Sequence, residues 1–307
     1  MKESLTKTIG SALKNFKGKI LYREPLGKYT SLKVGGNADA VVFPLDIEDL
    51  THLFEKIRAF KIPFFMIGAG SNLIIQDGGI RGIVIKLSHF NRIEKLDSTT
   101  LYAESGVFLP RLLKYTLDAS LTGFEFICSI PGSVGGALKM NAGISGREFS
   151  DVVQSIRILT FKGDLMEMDK KEASFGYRIS KFPRGVLLGG VFKLEQAPKH
   201  EVQEKIVLLL KKRRETQPLS YPNVGSIFKN PKGLFAGKLI EEAGLKGFQI
   251  GGAQISQKHG NFIINRGSAS ANDIIRLIRK AGIEVEAQRG VVLELEAKIV
   301  GKNAAHS

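Results

Sequence analysis

The chain has a single cysteine, Cys128, no tryptophan and no internal repeat or low-complexity tract. One cysteine excludes an intrachain disulfide and argues against a cysteine-based metal site. No apolar run approaches the length of about 20 residues that a membrane-spanning helix needs. The start of the chain, residues 1–19, is polar and rich in lysine, and it lacks the apolar segment of a secretory signal. These absences predict a cytoplasmic protein with no membrane partner and no metal.

Acidic residues are too few to balance the basic ones, and the formal net charge is +15. Such an excess attracts anionic partners. The basic residues are scattered, apart from the run 211–214, which we interpret as the end of a helix because cations stabilise the negative end of the helix dipole. No nucleic-acid-binding motif is visible. Anionic small ligands explain the charge as well as RNA does, so we expect no nucleic-acid partner and keep an RNA-binding protein as the weaker alternative.

The composition changes near Ala197-Pro198, and we predict two domains, residues 1–197 and 198–307. Apolar spacing, caps and turn residues predict the elements of each domain. In the first domain these are a helix from the N-cap Asp46 to Phe60, strands at 62–67 and 81–87, a helix starting at Pro110, a hairpin at 152–168 and a strand at 185–194. In the second they are helices at 200–215 and 236–243, a strand at 261–265, a helix from a Ser270–Asp273 capping box to Gly282, and a last strand at 291–300.

The predicted last strand alternates between apolar odd positions and charged even positions, among them Glu294, Glu296 and Lys298. A period of two places these three on one face, opposite the core. This face is either an ordinary solvent-exposed face, or it points one of its carboxylates into a cleft between the domains. Geometry alone favours the solvent-exposed face.

Two glycine-rich loops stand out, at Gly68–Asn72 and at Pro131–Ala137, the second continuing to Gly143. Glycine-rich loops can present several backbone N–H groups to an anion, most often a phosphate. The dinucleotide fingerprint of the Rossmann fold requires a third glycine opening a helix, but position 73 is leucine and β-like residues follow. We therefore expect the first loop to join two strands. Two such loops indicate a ligand with a central pyrophosphate, and two plain tight turns remain the alternative.

Several motifs, taken in order, resemble the MurB family, the UDP-N-acetylenolpyruvoylglucosamine reductases of peptidoglycan synthesis. Each motif is weak alone, but the ordered set is specific and covers almost the whole chain. The motifs lie at 29–36, 68–72, 130–143, 177–182, 222–231, 239–241, 244–247 and 293–296.

The resemblance implies an α+β fold, with an FAD-binding domain of the vanillyl-alcohol-oxidase (PCMH) type followed by a smaller α/β substrate-binding domain. It implies non-covalent FAD as the cofactor and NADPH as the co-substrate. NADPH would reduce the flavin, which would then reduce the enolpyruvyl group to give UDP-N-acetylmuramate. The expected FAD-binding residues are Ile67, Gly68, Ala69, Gly70, Ser71, Asn72, Leu73, Ile130, Pro131, Gly132, Ser133, Gly135, Gly136, Asn141, Ala142 and Gly143.

By the same resemblance the catalytic residues are Arg178, Ser226 and Glu296. Hydride addition to an enol ether carboxylate places negative charge next to the carboxylate, which a fixed cation can stabilise. The family's arginine matches Arg178 and its proton-donating serine matches Ser226. A serine hydroxyl is a poor acid unless the acceptor is strongly basic or neighbours such as Lys229 lower its pKa. In isolation, Arg178 could equally be a surface ion-pair residue and Ser226 a turn hydroxyl.

Expected substrate contacts with the UDP-sugar are Tyr177, Lys229, Asn230 and Gln249. The chain departs from the family pattern at Cys128-Ser129, at Lys139 and in the final Glu-Leu-Glu motif. It also lacks a long insertion between Phe182 and Ser226, which indicates the compact subtype of the family. We expect the protein to be a monomer. A flavoprotein oxidase of the same fold, acting on another substrate, remains the second enzymatic interpretation.

Overall fold

The structure, a computed structural model, describes residues 2–144 and 146–303, with only the backbone considered for residues 2–4. The described chain divides into two compact units. Unit 1 comprises residues up to Tyr22, Ala40–Ala69 and Gly82–Lys212. Unit 2 comprises Arg23–Asp39, Gly70–Arg81 and the residues from Arg213 onward. The units thus draw on more segments than the two continuous domains predicted from the composition.

The α-helices are α1 (Lys2–Ala12), α2 (Ile47–Ala59), α3 (Leu109–Asp118), α4 (Val134–Met140), α5 (Lys199–Thr216), α6 (Ala236–Glu242) and α7 (Ala271–Arg289). The first ten strands are β1 (Lys19–Tyr22), β2 (Ala38–Phe43), β3 (Phe64–Met66), β4 (Leu73–Ile75), β5 (Ile80–Ile85), β6 (Ile93–Lys95), β7 (Thr100–Glu104), β8 (Leu121–Thr122), β9 (Gly143–Ile144) and β10 (Arg147–Glu148). The others are β11 (Val153–Thr160), β12 (Leu165–Asp169), β13 (Ser174–Gly176), β14 (Ile179–Lys181), β15 (Gly185–Lys193), β16 (Glu195–Gln196), β17 (Gln249–Ile250), β18 (Ala253–Ile255), β19 (Ile263–Asn265) and β20 (Lys298–Val300).

Unit 1 contains two sheets. The first has the strand order β1-β2-β5-β3, with β3 parallel to β5. Helix α2 packs its apolar face on this sheet, and Leu50 and Leu53 share a buried cluster with Ile83 and Ile85. The helix starts where predicted, because the side chain of Asp46 accepts a hydrogen bond from the backbone N–H of Asp49 at 2.8 Å.

The second sheet of unit 1 has the order β12-β11-β15-β7-β6, and its neighbouring strands are antiparallel. The hairpin β11–β12 and the strand β15 confirm two of the predicted elements. Phe124, Phe149 and Phe192 are fully buried in the cluster beneath this sheet, and their rings contact one another edge-on or tilted. Val134, Ala137 and Leu138 of helix α4 belong to the same buried cluster, so the helix packs against this aromatic core.

Unit 2 is built on the three-stranded antiparallel sheet β17-β18-β19 and helix α7. The predicted capping box is present, with Ser270 Oγ accepting from the N–H of Asp273 at 3.1 Å. Asp77, distant in sequence, accepts hydrogen bonds from the N–H groups of Ala271 and Asn272 at 2.9 and 3.0 Å. Two side chains therefore satisfy three of the free N–H groups at the start of this helix.

Two predicted boundaries in unit 2 are wrong. Helix α7 does not stop at Gly282 but continues to Arg289, and Gly290 ends it in a left-handed conformation with φ 65°. The helix continues because Ala281 and Val285 extend its buried face past the glycine. Of the strand predicted at 291–300, only Lys298–Val300 forms, since its parallel partner β4 is only three residues long.

Candidate functional site

The first glycine loop leaves β3 and enters β4, which confirms that it joins two strands. In unit 1 the loop begins at Ile67, whose N–H donates to the carbonyl of Ile85 at 2.9 Å. The next residue, Gly68, accepts a hydrogen bond on its carbonyl from the Lys86 ammonium at 2.6 Å. Burial lowers the pKa of Lys86 below the ordinary value of 10.5. A half-buried cation therefore lies at the start of the loop.

The second glycine loop is fixed against the loop that precedes helix α3. Leu109 N–H donates to the carbonyl of Gly132 at 3.0 Å, and Gly135 N–H donates to the carbonyl of Ser105 at 3.0 Å. A Cβ on Gly135 would lie 2.8 Å from the Cβ and Oγ of Ser105, so only glycine fits there. The N–H of Val134 likewise donates to the carbonyl of Val107. The N–H groups of Val134 and Gly135 thus already donate to protein carbonyls, and any ligand must bind other groups of the loop.

The two loops meet at Ser133. A Cβ on Gly68 would lie 2.9 Å from Ser133 Oγ, and one on Gly136 would lie 3.6 Å from it. Ser133 is buried, and its Oγ has no hydrogen-bond partner among the described residues. A buried hydroxyl without a partner costs free energy, which a bound polar group would recover. The site therefore fits a polar ligand held between the two glycine loops.

The rest of the first loop belongs to unit 2. Gly70 has φ 65°, and a Cβ there would lie 1.9 Å from the carbonyl oxygen of Tyr29, so close packing requires glycine. The side-chain amide of Asn72 donates to the carbonyl of Glu296 at 3.0 Å, and the N–H of Lys298 donates to the carbonyl of Asn72 at 3.0 Å. The loop is thereby fastened to the segment that carries one of the predicted catalytic residues.

Arg178, in unit 1, lies in the two-residue turn between β13 and β14 and has the left-handed φ of 57°. This conformation is uncommon outside glycine and costs of order 1 kcal/mol. The Arg178 guanidinium donates to the carbonyl of Gly143 at 2.7 Å and lies 3.6 Å from a carboxylate oxygen of Glu148. It also stacks over the Tyr177 ring, 4.8 Å from the centroid. The guanidinium is thus largely buried and held from several sides.

Asn141 ends helix α4 in the left-handed conformation, with φ 43°. Its amide nitrogen donates to Glu148 at 2.7 Å and to the carbonyl of Gly176 at 3.1 Å, and its amide oxygen accepts from the N–H of Ser150 at 2.9 Å. Asn141 was predicted to bind FAD, and its side chain also connects the second loop to the hairpin of Arg178. Glu148 links both residues, and sequence reasoning missed it because an isolated glutamate has no motif.

Ser226 and Glu296 lie on neighbouring segments of unit 2. Ile227, which follows Ser226, accepts hydrogen bonds on its carbonyl from the N–H groups of Glu296 and Ala297 at 2.9 and 3.2 Å. Ser226 and Glu296 are both partly exposed. Gly225, with φ 77°, provides the sharp turn before the serine, and its N–H donates to the side chain of Asn223 at 3.0 Å. Two of the three predicted catalytic residues are therefore brought together within one unit.

Three of the predicted substrate contacts, Lys229, Asn230 and Gln249, each bond another group of the protein. Lys229 forms an ion pair of 2.5 Å with Glu294. Asn230 accepts from the N–H of Ala236 at 3.1 Å. Gln249 is exposed, and its amide nitrogen donates to the carbonyl of Gly251 at 2.8 Å.

The remaining predicted FAD-binding residues lie in the same loops or directly beside them, with Leu73 starting β4 and Gly143 starting β9. The others are Ala69, Ser71, Ile130, Pro131 and Ala142. The departure at Lys139 has a structural explanation: its ammonium donates to the carbonyl of Ser180 at 3.2 Å and lies 5.4 Å from the Phe182 ring centroid. Lys139 thus attaches helix α4 to the hairpin of Arg178.

Comparison with known proteins decides the family. Residues 217–300 match the family described as UDP-N-acetylenolpyruvoylglucosamine reductase, C-terminal domain, and residues 38–169 match an FAD binding domain family. A UDP-N-acetylenolpyruvoylglucosamine reductase of Listeria innocua is 45% identical over 286 residues, which are 92% of this chain and 96% of the relative. The chain belongs to the MurB family. The resemblance found in the sequence motifs is confirmed.

Further MurB relatives agree over the whole length. The reductase of Caldanaerobacter subterraneus is 41% identical over 98% of this chain and 100% of its own. The crystal structure of the MurB protein from Thermus caldophilus is 34% identical, with a TM-score of 0.78, and the match covers 92% of this chain and 98% of that one. The predicted fold class, an FAD-binding domain of the PCMH type followed by a second domain, is confirmed, and FAD is the cofactor of this oxidoreductase.

None of the helices in the described residues combines the length with the apolar composition that spanning a membrane requires. No group of three or more histidine, cysteine, aspartate or glutamate side chains within residues 2–144 and 146–303 is arranged to hold a metal ion.

Proposed function

We propose that this protein reduces UDP-N-acetylenolpyruvoylglucosamine to UDP-N-acetylmuramate, with NADPH as the electron source. Membership of the MurB family, over almost the full length of chain and relatives, is the observation that carries the proposal. The family's reaction places this enzyme in peptidoglycan precursor synthesis.

FAD would be held by the glycine loops, with the partnerless hydroxyl of Ser133 and the carbonyl-bound ammonium of Lys86 at their junction. When bound, this cofactor supplies hydride transfer from NADPH to the enolpyruvyl double bond. The protein contributes rigid loops that need not reorganise as the ligand binds, because packing against Ser105 and Tyr29 fixes Gly135 and Gly70.

Arg178 is proposed to bind the enolpyruvyl carboxylate and to stabilise the negative charge that develops beside it. Its support is the fixed guanidinium, held by Gly143 and Glu148 in a strained turn. A cation placed before the reaction stabilises developing charge without a cost of reorganisation.

Ser226 is proposed to donate the proton to the carbon that becomes negatively charged, and Glu296 to assist at the same place. The support is the pairing of the segments 226–228 and 294–297, which keeps the two residues adjacent. A serine hydroxyl can protonate a strongly basic carbanion-like species, although it is a weak acid towards ordinary bases. Tyr177, Lys229, Asn230 and Gln249 are the proposed contacts with the UDP-sugar.

The visible absorption spectrum tests the cofactor, since purified protein must be yellow and must release flavin on denaturation. Ser226→Ala tests the proton donor by rapid mixing. NADPH should still bleach the flavin absorbance at the wild-type rate, whereas its return on adding the enolpyruvyl sugar should slow by at least about 100-fold. The exposed Ser268→Ala serves as the matched control. Normal rates in both half-reactions would rule out Ser226.

We further propose that the enzyme acts as a cytoplasmic monomer, because one chain supplies all the residues named above. Light scattering after size-exclusion chromatography would give the mass of one chain. A stable dimer at micromolar concentration would contradict this.

A further inference from the structure

Two polar side chains, those of Lys86 and Ser133, lie beside Gly68 with hydrogen-bonding groups that the described protein leaves unused. Lys86 donates to the Gly68 carbonyl at 2.6 Å, and Ser133 Oγ lies 2.9 Å from the position that a Cβ on Gly68 would occupy. All three residues belong to unit 1. The family motifs contain Gly68 and Ser133 but not Lys86, which follows the buried strand β5 and has no sequence signature.

The charge of Lys86 is not balanced within the described protein. No carboxylate there forms an ion pair with its ammonium, and burial lowers the pKa of Lys86. An ammonium has three donors, and the Gly68 carbonyl uses one of them. A half-buried cation without a counter-charge is costly and is normally found where an anion or a carboxylate completes the site.

Ser133 supplies an independent observation of an incomplete site. The residue is 4% exposed, and its Oγ has no hydrogen-bond partner in the part of the chain that the structure describes. The hydroxyl lies 2.9 Å from the position that a Cβ on Gly68 would occupy and 3.6 Å, an ordinary contact distance, from that of a Cβ on Gly136. A hydroxyl donor and an ammonium donor beside the same glycine match the oxygens of a phosphate group.

We propose that Lys86 is a cofactor-binding residue that, with Ser133, binds the pyrophosphate of FAD at the junction of the two glycine loops. Lys86 contributes a full positive charge to this contact, whereas the N–H groups of Val134 and Gly135 already donate to protein carbonyls. The inference rests on the FAD-dependent function proposed above, and it adds the positive charge of Lys86 to the FAD-binding site.

The test is FAD affinity of the apoprotein, measured by quenching of flavin fluorescence at several salt concentrations. Lys86→Met should weaken FAD binding by about tenfold or more and make it less dependent on salt, because a charge-assisted contact is lost. Lys86→Arg should remain within about threefold of wild type because it keeps the charge. Ser133→Ala should lose about threefold. Lys193→Met, at a lysine that bonds Thr99 and Thr100, is the matched control.

Three results would overturn the proposal. One is a folded Lys86→Met protein, judged by its circular dichroism, that binds FAD as wild type does. Another is an equal loss in Lys86→Arg and Lys86→Met, which would assign Lys86 to loop packing. The third is an unchanged salt dependence in Lys86→Met. A wild-type protein that takes up no FAD would overturn the proposed function itself, which distinguishes the two failures.

Discussion

Glu148 accepts a hydrogen bond from the side-chain amide of Asn141 at 2.7 Å on one carboxylate oxygen and faces the Arg178 guanidinium at 3.6 Å with the other. One carboxylate therefore joins the end of helix α4 to the turn that holds the predicted catalytic cation. Glu148 is a positioning residue in this arrangement, since it acts through Arg178 and Asn141.

Glu148→Gln should reduce kcat/KM for the enolpyruvyl sugar by about three- to tenfold, because losing a partly buried ion pair costs about 1 kcal/mol. The rate at which NADPH reduces the flavin should not change. Arg147→Gln, which breaks the neighbouring exposed pair with Asp151, is the control and should have no effect. Equal effects of the two variants on kcat/KM would contradict a positioning role.

Arg178→Gly should lower kcat/KM by about 100-fold or more while leaving the free energy of unfolding within about 1 kcal/mol of wild type. The catalytic loss follows from removal of the cation. Stability changes little because glycine adopts a φ of 57° without strain, which offsets the lost contacts.

Ser120→Gly is the matched control, because Ser120 has the same φ of 57° and lies between helix α3 and strand β8, outside the two glycine loops. It should retain full activity. Urea unfolding and steady-state kinetics of both variants measure the two effects. An inactive Ser120→Gly protein would show that backbone relief alone disturbs the enzyme.

Two glycines of unit 2 should respond oppositely to alanine. Gly70→Ala should destabilise the protein by at least about 1 kcal/mol, since φ is 65° and the new Cβ would collide with the Tyr29 carbonyl. Gly282→Ala should stabilise it by about 0.5–1 kcal/mol, because this glycine is inside helix α7 with open space around it. Thermal and urea unfolding measure both. A stabilising Gly70→Ala would disprove the close approach at the first loop.

His259 should make the protein less stable as the pH falls below about 6.5. Burial, with a smaller effect of Lys246, lowers the pKa of His259 in the folded state. Below the ordinary value of 6.5 the unfolded chain therefore binds more protons than the folded one, and the free energy of unfolding decreases. Urea unfolding at about pH 7.5 and about pH 5.5 should show a smaller loss for His259→Gln than for wild type.

The exposed His89→Gln is the control for this comparison and should keep the wild-type loss. The same loss in His259→Gln as in wild type would contradict the effect. The surroundings of His259 support a structural role. Its ring lies 4.7 Å from the Phe262 ring between centroids, in a tilted arrangement, and its Nδ1 accepts from the N–H of Asn261.

Elements with local signals were predictable from the sequence. Asp46 and the Ser270–Asp273 pair start helices because their side chains bond backbone groups three residues away. Gly282 was misleading, since a glycine ends a helix only where the buried face also ends. The strand predicted at 291–300 was wrong because its length depends on β4, more than 200 residues earlier, where Leu73 is the register partner of Lys298.

The sequence by itself determined the family, the FAD-binding fold and the two glycine loops, because motifs and turns depend on residues that are neighbours in the chain. Only the tertiary structure decided which polar groups accompany those loops. Lys86 reaches Gly68 and Glu148 reaches Arg178 through contacts between strands and turns that the chain brings together on folding. Such contacts leave no periodic or local pattern, since each depends on where two distant backbones pass each other.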